Sequence, residues 1–273
     1  MMLIGMMLLT AWIYHVSISL WLLIMILSVI CVAAGGNVWN DVCDKRCDEI
    51  NKPDRTLILT VYQAKRLYFI LIGIGSLVAI IMMLKGWYFV PVFVFSAIIG
   101  LHLYSLYLKS QPIIGNVLIA ILSVLPLIMV IKYVQQANNE LDYIKTKLMV
   151  FYIFFAFLLS WIRETIKDIE DMPGDQAAGY KTLPIVTSSQ ISKVLSFVLA
   201  ATLLGISIHW VFWLEENEFL LWQLLIMILI LFIPFFPFSY VLYQSQTKDD
   251  YGKLSRLIKI WMLIGILTLT IWI

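Results

Sequence analysis

Nine apolar runs, each parted from the next by a short stretch holding charge, Gly or Pro, leave this chain few folds to choose from. They fall near 2–14, 17–42, 62–84, 87–108, 112–134, 146–170, 189–213, 218–244 and 252–273. Most are long enough to cross ~30 Å of hydrocarbon as a helix, where each backbone amide must find its partner within the segment. With 62% hydrophobic and 13% charged residues in 273, the chain has too little polar surface for a water-soluble body. The expected fold is all-α: a polytopic membrane bundle of about nine transmembrane helices around a central cavity, forming a single integral-membrane domain over 1–273. The run at 2–14 is short for a crossing and lacks a basic lead-in. It reads either as a truncated first helix or as a re-entrant or signal-like segment.

Charge placement supports the count. With alternating spans, all basic residues except Lys85, Lys132, Lys145 and Lys147 fall on one side, out of 19 in the chain. The positive-inside rule puts that side in the cytoplasm, and the cell inner membrane is the expected location. A net charge of +2 gives no reason to expect a nucleic-acid partner. Cys31, Cys43 and Cys47 make no disulfide framework, and no neighbouring His completes a zinc site.

Two acidic clusters stand out, both at the edge of apolar runs on the basic side. The first is Asn40-Asp41-Val42-Cys43-Asp44-Lys45-Arg46-Cys47-Asp48. At about 100° per residue, Asn40, Asp44, Asp48 and Asp41 share one stripe if the helix persists. In the second, Glu164, Asp168, Asp171 and Asp175 follow i, i+4, i+7 and i+11. Pro173 and Gly174 are expected to end that helix and leave Asp175 on a loop.

Facing carboxylates repel one another, and divalent cations relieve the repulsion. Mg²⁺ takes one or two carboxylates and fills its shell with substrate phosphate oxygens, so two such clusters suit a diphosphate. Lys45, Arg46, Lys52, Arg55, Lys167 and Lys181 are placed to neutralise phosphate charge. The bland reading is a set of solvated loops, but seven acidic residues at helical spacing beside spans argue against it. A calcium loop is excluded by its missing Asp-x-Asp-x-Asp-Gly pattern. The phrase ending Asp54-Arg55-Thr56-Leu57 is echoed by Lys181-Thr182-Leu183-Pro184, which suggests two related halves.

Asn40-Asp41-x-x-Asp44-x-x-x-Asp48 and Asp171-x-x-x-Asp175 resemble the paired aspartate motifs of the UbiA superfamily of intramembrane prenyltransferases. So do Asn51-x-Pro53-Asp54-Arg55, Tyr104-Ser105, Leu108-Lys109, Gly115-Asn116 and the run from Arg163-Glu164 to Thr182-Leu183-Pro184. The missing Arg-Pro-x-Asn lead-in and Pro173, where relatives often carry Glu, depart from the pattern. The resemblance implies an enzyme that moves a prenyl group from a polyprenyl diphosphate to a lipophilic acceptor, with Mg²⁺ as cofactor and membrane lipid around it. Asn40, Asp44 and Asp48 would serve one metal ion and Asp171 and Asp175 the other. Asp41, Asp168, Lys109 and Lys167 would complete the catalytic set. Arg55, Tyr104, Asn116, Arg163 and Lys181 would contact substrate.

The second motif looks most like the branch that alkylates geranylgeranylglyceryl phosphate, with an aromatic quinone precursor as the alternative acceptor. A phosphorylated acceptor would draw on Lys109, Lys167 and Lys181. Among the aromatic residues on the motif side, Trp39, Tyr104, Tyr107, Tyr152 and Trp161 are candidates for stabilising a carbocation, though packing suits each as well. A transporter with a cytoplasmic acidic site is the non-enzyme alternative, but carboxylates on ion paths usually sit in mid-span.

Overall fold

A computed structural model describes residues 2–51, 59–138, 141–216 and 220–272. The described residues hold helices and turns and no strand. The long helices are α2 (Leu20–Cys43), α4 (Val61–Leu84), α5 (Phe89–Leu103), α6 (Ile114–Asn138), α7 (Tyr143–Glu170), α10 (Ser189–Glu216) and α13 (Lys248–Leu267). A turn over Tyr104–Leu108 lengthens α5, and with that extension and the one after α13 seven helices are long and apolar enough to cross a membrane. Short helices are α1 (Met2–Ile13), α3 (Lys45–Asn51), α8 (Met172–Ala177), α9 (Leu183–Val186), α11 (Leu221–Phe232) and α12 (Phe235–Gln244).

The expected count of nine spans is thus met only roughly. Runs two to seven and nine appear as continuous helices. The first is the 12-residue α1, too short to cross alone. The eighth breaks into α11 and α12 at Pro234, whose ring removes an amide donor and crowds the preceding turn.

Helix starts carry their own signals. Ser19 caps α2 by accepting from the Leu22 amide at 3.2 Å, and Asp142 caps α7 through the Lys145 amide at 2.8 Å. Thr60 with Gln63, and Thr247 with Asp250, form capping boxes at α4 and α13.

The central helix is α7, which packs against α6, α10 and α13, while α2 lies along α4. Its Phe151, Tyr152, Phe155, Leu159, Ile162 and Ile166 are all buried. Many large apolar side chains elsewhere face outward, including Phe69, Leu77 and Leu84 on α4. That is stable against lipid and unfavourable against water.

The two ends of the bundle are fixed by polar contacts. At one end Ser19 and Tyr133 share a 2.5 Å hydrogen bond, Gln136 donates to the Gly86 carbonyl at 3.0 Å, and Tyr14 donates to Thr146 at 3.2 Å. At the other end the Lys181 amide donates to the Ser110 carbonyl at 3.0 Å, and Lys248 bonds the Asn51 carbonyl. Both acidic clusters lie at this second end, as a shared site requires.

Candidate active site

The two clusters are built the same way. In each, a long helix stops at an aspartate with ψ near zero: Asp44 (φ −83°, ψ −1°) and Asp171 (φ −90°, ψ 0°). The amide of each still donates four residues back at 2.8 Å, to Asn40 and Lys167. A short helix follows, and the second aspartate bonds back to the first, Asp48 to Asp44 at 2.8 Å and Asp175 to Asp171 at 3.1 Å. The helix therefore bends inside each cluster and does not run straight through. The expectation that Asp175 lies on a loop is corrected: Pro173 falls in the first turn of α8, where a missing amide costs nothing, and Asp175 is helical and buried.

Short helices α3 and α8 pack together, joined by Asn51. Its Nδ2 donates to the Asp171 carbonyl at 2.8 Å, and its Oδ1 accepts from the Gly174 amide at 3.0 Å. Gly174 permits that approach, because a Cβ there would lie 2.4 Å from Asn51 Nδ2 and 2.6 Å from the Cys47 carbonyl oxygen. From the sequence, Asn51 is only a motif letter and Gly174 a helix breaker. Their clamping role needed the fold, since 123 residues separate them.

Lys109 sits between the clusters. Its ammonium pairs with Asp44 Oδ2, to which Asn40 Nδ2 also donates at 2.5 Å. Burial alone would pull Lys109 down, but Asp44 and Asp175 hold it above the usual lysine range. Burial pushes the Asp175 carboxyl up to about 6, with Lys109 opposing the rise and Asp171 and Asp44 adding to it. The turn over Tyr104–Leu108 closes one residue wider than an α-turn, the Lys109 amide donating to the Tyr104 carbonyl at 2.9 Å. That widening places Lys109 beneath Tyr104, as such turns often do at functional sites. The start of α6 touches this backbone at Gly115, where a Cβ would meet the Leu108 carbonyl oxygen at 2.5 Å.

The remaining expected residues divide. Asn116 Nδ2 donates to Asp168 Oδ2 at 2.8 Å, and Tyr104 lies in the field of Glu164, Asp168, Asp44 and Asp175. Lys167 is 3.9 Å from Asp171, and Arg163 pairs with the buried Glu164. Asp41 and Asp48 are half-buried, each engaged in interactions of its own. Lys181 is brought to the site by its backbone, its side chain exposed. Arg55, with Lys52, Pro53 and Asp54, lies outside the described residues.

Of the aromatic candidates only Tyr104 stands among the carboxylates. Trp39 packs with Tyr68 and His102, Tyr107 is exposed, and Trp161 packs on Phe157. Tyr152 hydrogen-bonds Thr268 at 2.6 Å, about 18 Å along α7 from Glu164 at 1.5 Å per residue.

The donor set suits a hard divalent cation. Among the described residues, no three acidic, His or Cys side chains gather into a metal cage. Asn40 Oδ1 and Asp44 Oδ1 are, however, buried with no hydrogen-bond partner there, a costly state that a cation would relieve. A half-site of one or two oxygens, completed by phosphate oxygens, is how Mg²⁺ is usually held.

Two apolar cavities lead to this end. One, of about 220 Å³, lies among α2, α5 and α6, with Asn37 at its polar side. The other, of about 310 Å³, lies among α1, α6, α7 and α13, with Arg163, Glu164 and Lys259 at its polar side. Leu3, Ile119 and Ser123 border both. An acidic pair of helix ends, a buried lysine between them and two apolar cavities beneath can hold charged phosphate heads while hiding long apolar tails.

Known proteins share this plan. The sequence pattern of the UbiA prenyltransferase family matches residues 1–263. A digeranylgeranylglyceryl phosphate synthase from Methanobrevibacter smithii is 28% identical over 93% of this chain and 88% of its own. The corresponding protein of Methanosphaera stadtmanae is 32% identical over 88% of this chain and 84% of its own. A solved structure described as digeranylgeranylglyceryl phosphate synthase superposes with a TM-score of 0.70 at 25% identity, covering 99% of this chain and 92% of that one. A UbiA homologue from Archaeoglobus fulgidus, solved with GPP and Mg²⁺, shares the fold at a TM-score of 0.59 and 12% identity, covering 98% and 96%. This chain belongs to the UbiA prenyltransferase family and is a membrane-embedded prenyltransferase.

Proposed function

We propose that this enzyme transfers a prenyl group from a prenyl diphosphate to the hydroxyl of a glyceryl phosphate lipid, at the cytoplasmic end of its bundle. The observation that carries this is the meeting of the two aspartate-bearing helix ends around Lys109. The names of the M. smithii and M. stadtmanae relatives support the acceptor class over a quinone precursor.

Asn40, Asp44 and Asp48 on one side, and Asp171 and Asp175 on the other, would hold Mg²⁺, which supplies charge stabilisation for the departing diphosphate. The A. fulgidus homologue, solved with GPP and Mg²⁺, supports Mg²⁺ as the cofactor. Lys109 and Lys167 add fixed positive charge where negative charge develops, worth most in a water-poor site. Arg55 and Lys181 are assigned to the same diphosphate, and Asp41 supports the first metal-binding face.

The allylic C–O bond breaks with its electron pair leaving on the diphosphate. The acceptor oxygen forms the new C–O bond, and its proton passes to Asp168, whose Oδ2 Asn116 holds in place. The ring of Tyr104 would offer the electron-poor carbon a π face.

Turnover should vanish in EDTA and return with Mg²⁺ or Mn²⁺, assayed as transfer of labelled geranylgeranyl to a glyceryl phosphate lipid. Full transfer in chelator would refute the metal assignment. A transporter would instead move solute across proteoliposomes without releasing diphosphate.

The orientation has its own test. Gln246 lies by the motif end of the bundle, and Glu216 ends α10 at the opposite one; both are exposed. In intact cells an impermeant thiol reagent should label Glu216→Cys and spare Gln246→Cys. The reverse pattern would invert the orientation.

A further inference from the structure

Beside the aspartate clusters lies a polar cavity of about 410 Å³, between α7 and α13. Arg163 and Lys167 enter it from α7, and Lys248, Arg256 and Lys259 from α13. Glu170, Asp171 and Asp249 also line it and Glu164 holds Arg163, so five cations meet four carboxylates and one positive charge is in excess.

The cations are not equally engaged. Arg163 is held by Glu164, Lys167 lies 3.9 Å from Asp171, and Lys248 bonds the Asn51 carbonyl. Arg256 makes a 3.4 Å bond from Nε to the Gly252 carbonyl, with no carboxylate partner among the described residues. Lys259 has no hydrogen bond or ion pair there, and it lies within electrostatic reach of Arg163 and Lys167 as well as of Glu170 and Glu164. The cations still outnumber the carboxylates, and a bound anion relieves that excess.

This cavity also has a tail. Arg163 and Lys259 border the apolar cavity of about 310 Å³ as well, which continues past Met6, Phe155 and Leu269. Arg163 and Lys259 are thus a wall common to the basic cavity and the apolar one. The other apolar cavity ends at Asn37, one turn before Asp41, and so beside carboxylates. A metal-bound diphosphate is drawn to the aspartates, whereas a bare phosphate is drawn to the lysines and arginines.

We propose that the basic cavity binds the phosphomonoester of the acceptor, with the acceptor's chain in the 310 Å³ cavity and the prenyl donor's chain in the other. The ligand class is a single-chain lipid bearing a phosphomonoester next to a free hydroxyl. A phosphomonoester carries about −1.5 to −2 charge at neutral pH, enough to engage Arg256 and Lys259, two cations of this cavity without a carboxylate partner among the described residues. This assignment rests on the prenyl-transfer reading above, and it shifts the acceptor's phosphate away from Lys109 and Lys181. Lys109 is already committed to Asp44.

The test compares wild type with Lys259→Gln and Arg256→Gln, both exposed positions where substitution spares the packing. Lys253→Gln is the control, since Lys253 lies outside the cavity, 3.7 Å from Asp250. Each enzyme receives geranylgeranyl diphosphate and either an alkylglycerol phosphate or the same alkylglycerol without phosphate. Loss of one charged hydrogen bond should raise KM for the phosphorylated acceptor about 10- to 100-fold. Donor KM should stay within about twofold, and the preference for the phosphorylated acceptor should collapse. Lys259→Arg should keep that preference.

An unchanged preference in folded Lys259→Gln and Arg256→Gln would overturn the proposal. So would variants that lose competition by inorganic phosphate, or affinity for anionic vesicles, while acceptor KM stays put. If wild type transfers to no acceptor, the prenyl-transfer reading fails instead. Direct binding of alkylglycerol phosphate to wild type and Lys259→Gln then still decides the site.

Discussion

Asp44→Ala is expected to lower turnover on the order of 10³-fold or more, the loss typical when one ligand leaves a metal–diphosphate clamp. Asp44 has two duties that the substitution removes together. Its Oδ2 takes the Lys109 ammonium and the Asn40 amide, while its buried Oδ1 is left for a cation. Losing the first strands Lys109 as an unpaired, largely buried charge, which costs about 3–5 kcal/mol of stability. Asp44→Asn keeps the shape and removes only the charge. Combined with Lys109→Gln it removes both partners, and thermal stability should recover while turnover does not. The measurement pairs kcat at saturating donor with the melting temperature. A folded Asp44→Asn enzyme turning over near the wild-type rate would remove Asp44 from the metal site.

The fold class is legible because lipid permits so little else: apolar runs of bilayer length must be helices. Where the sequence reading slipped, the cause was local. Pro234 divides the eighth run, yet hydropathy averaged over a window does not register one missing amide. Pro173 suggests a helix end in the sequence and stands at a helix start in the structure, since proline serves both and the sequence alone does not say which side of a kink it occupies. The aspartates themselves were visible from spacing, because carboxylates beside a span are costly enough to stand out. Lys109 and Asn116 could be named only through resemblance, and their partners Asp44 and Asp168 required the fold. The basic groove was hidden for the same reason. Arg163 and Lys259 are nearly a hundred residues apart, and only the packing of α13 on α7 brings them to one wall.

The contact that holds the two halves in register is open to a single methyl group. Gly174→Ala would set a Cβ 2.4 Å from Asn51 Nδ2 and 2.6 Å from the Cys47 carbonyl oxygen. Asn51 could rotate away, at the expense of its bonds to Asp171 and Gly174. The Cys47 carbonyl belongs to the α3 backbone and can yield only if α3 moves as a whole. Overpacking of this kind costs about 1–3 kcal/mol, and loss of two buried hydrogen bonds adds to it. The larger effect is on catalysis, since α3 carries Asp48 and α8 carries Asp175. A misplacement of about 1 Å between reacting groups is worth about 10²-fold in rate. Turnover in Gly174→Ala should fall by about that factor, with KM for the donor rising as the clamp widens. Asn51→Ala removes the clamp without the clash, and should cost less. Adding it to Gly174→Ala should not restore activity, because the Cys47 carbonyl remains in the way. Spin labels at the exposed Glu49 on α3 and Gln176 on α8, with the native cysteines replaced, would report the separation directly. Gly174→Ala should lengthen that distance and Asn51→Ala should broaden its distribution. An unchanged distance together with wild-type turnover would mean that the halves are registered by some other contact, and that Asn51 merely fills the space between them.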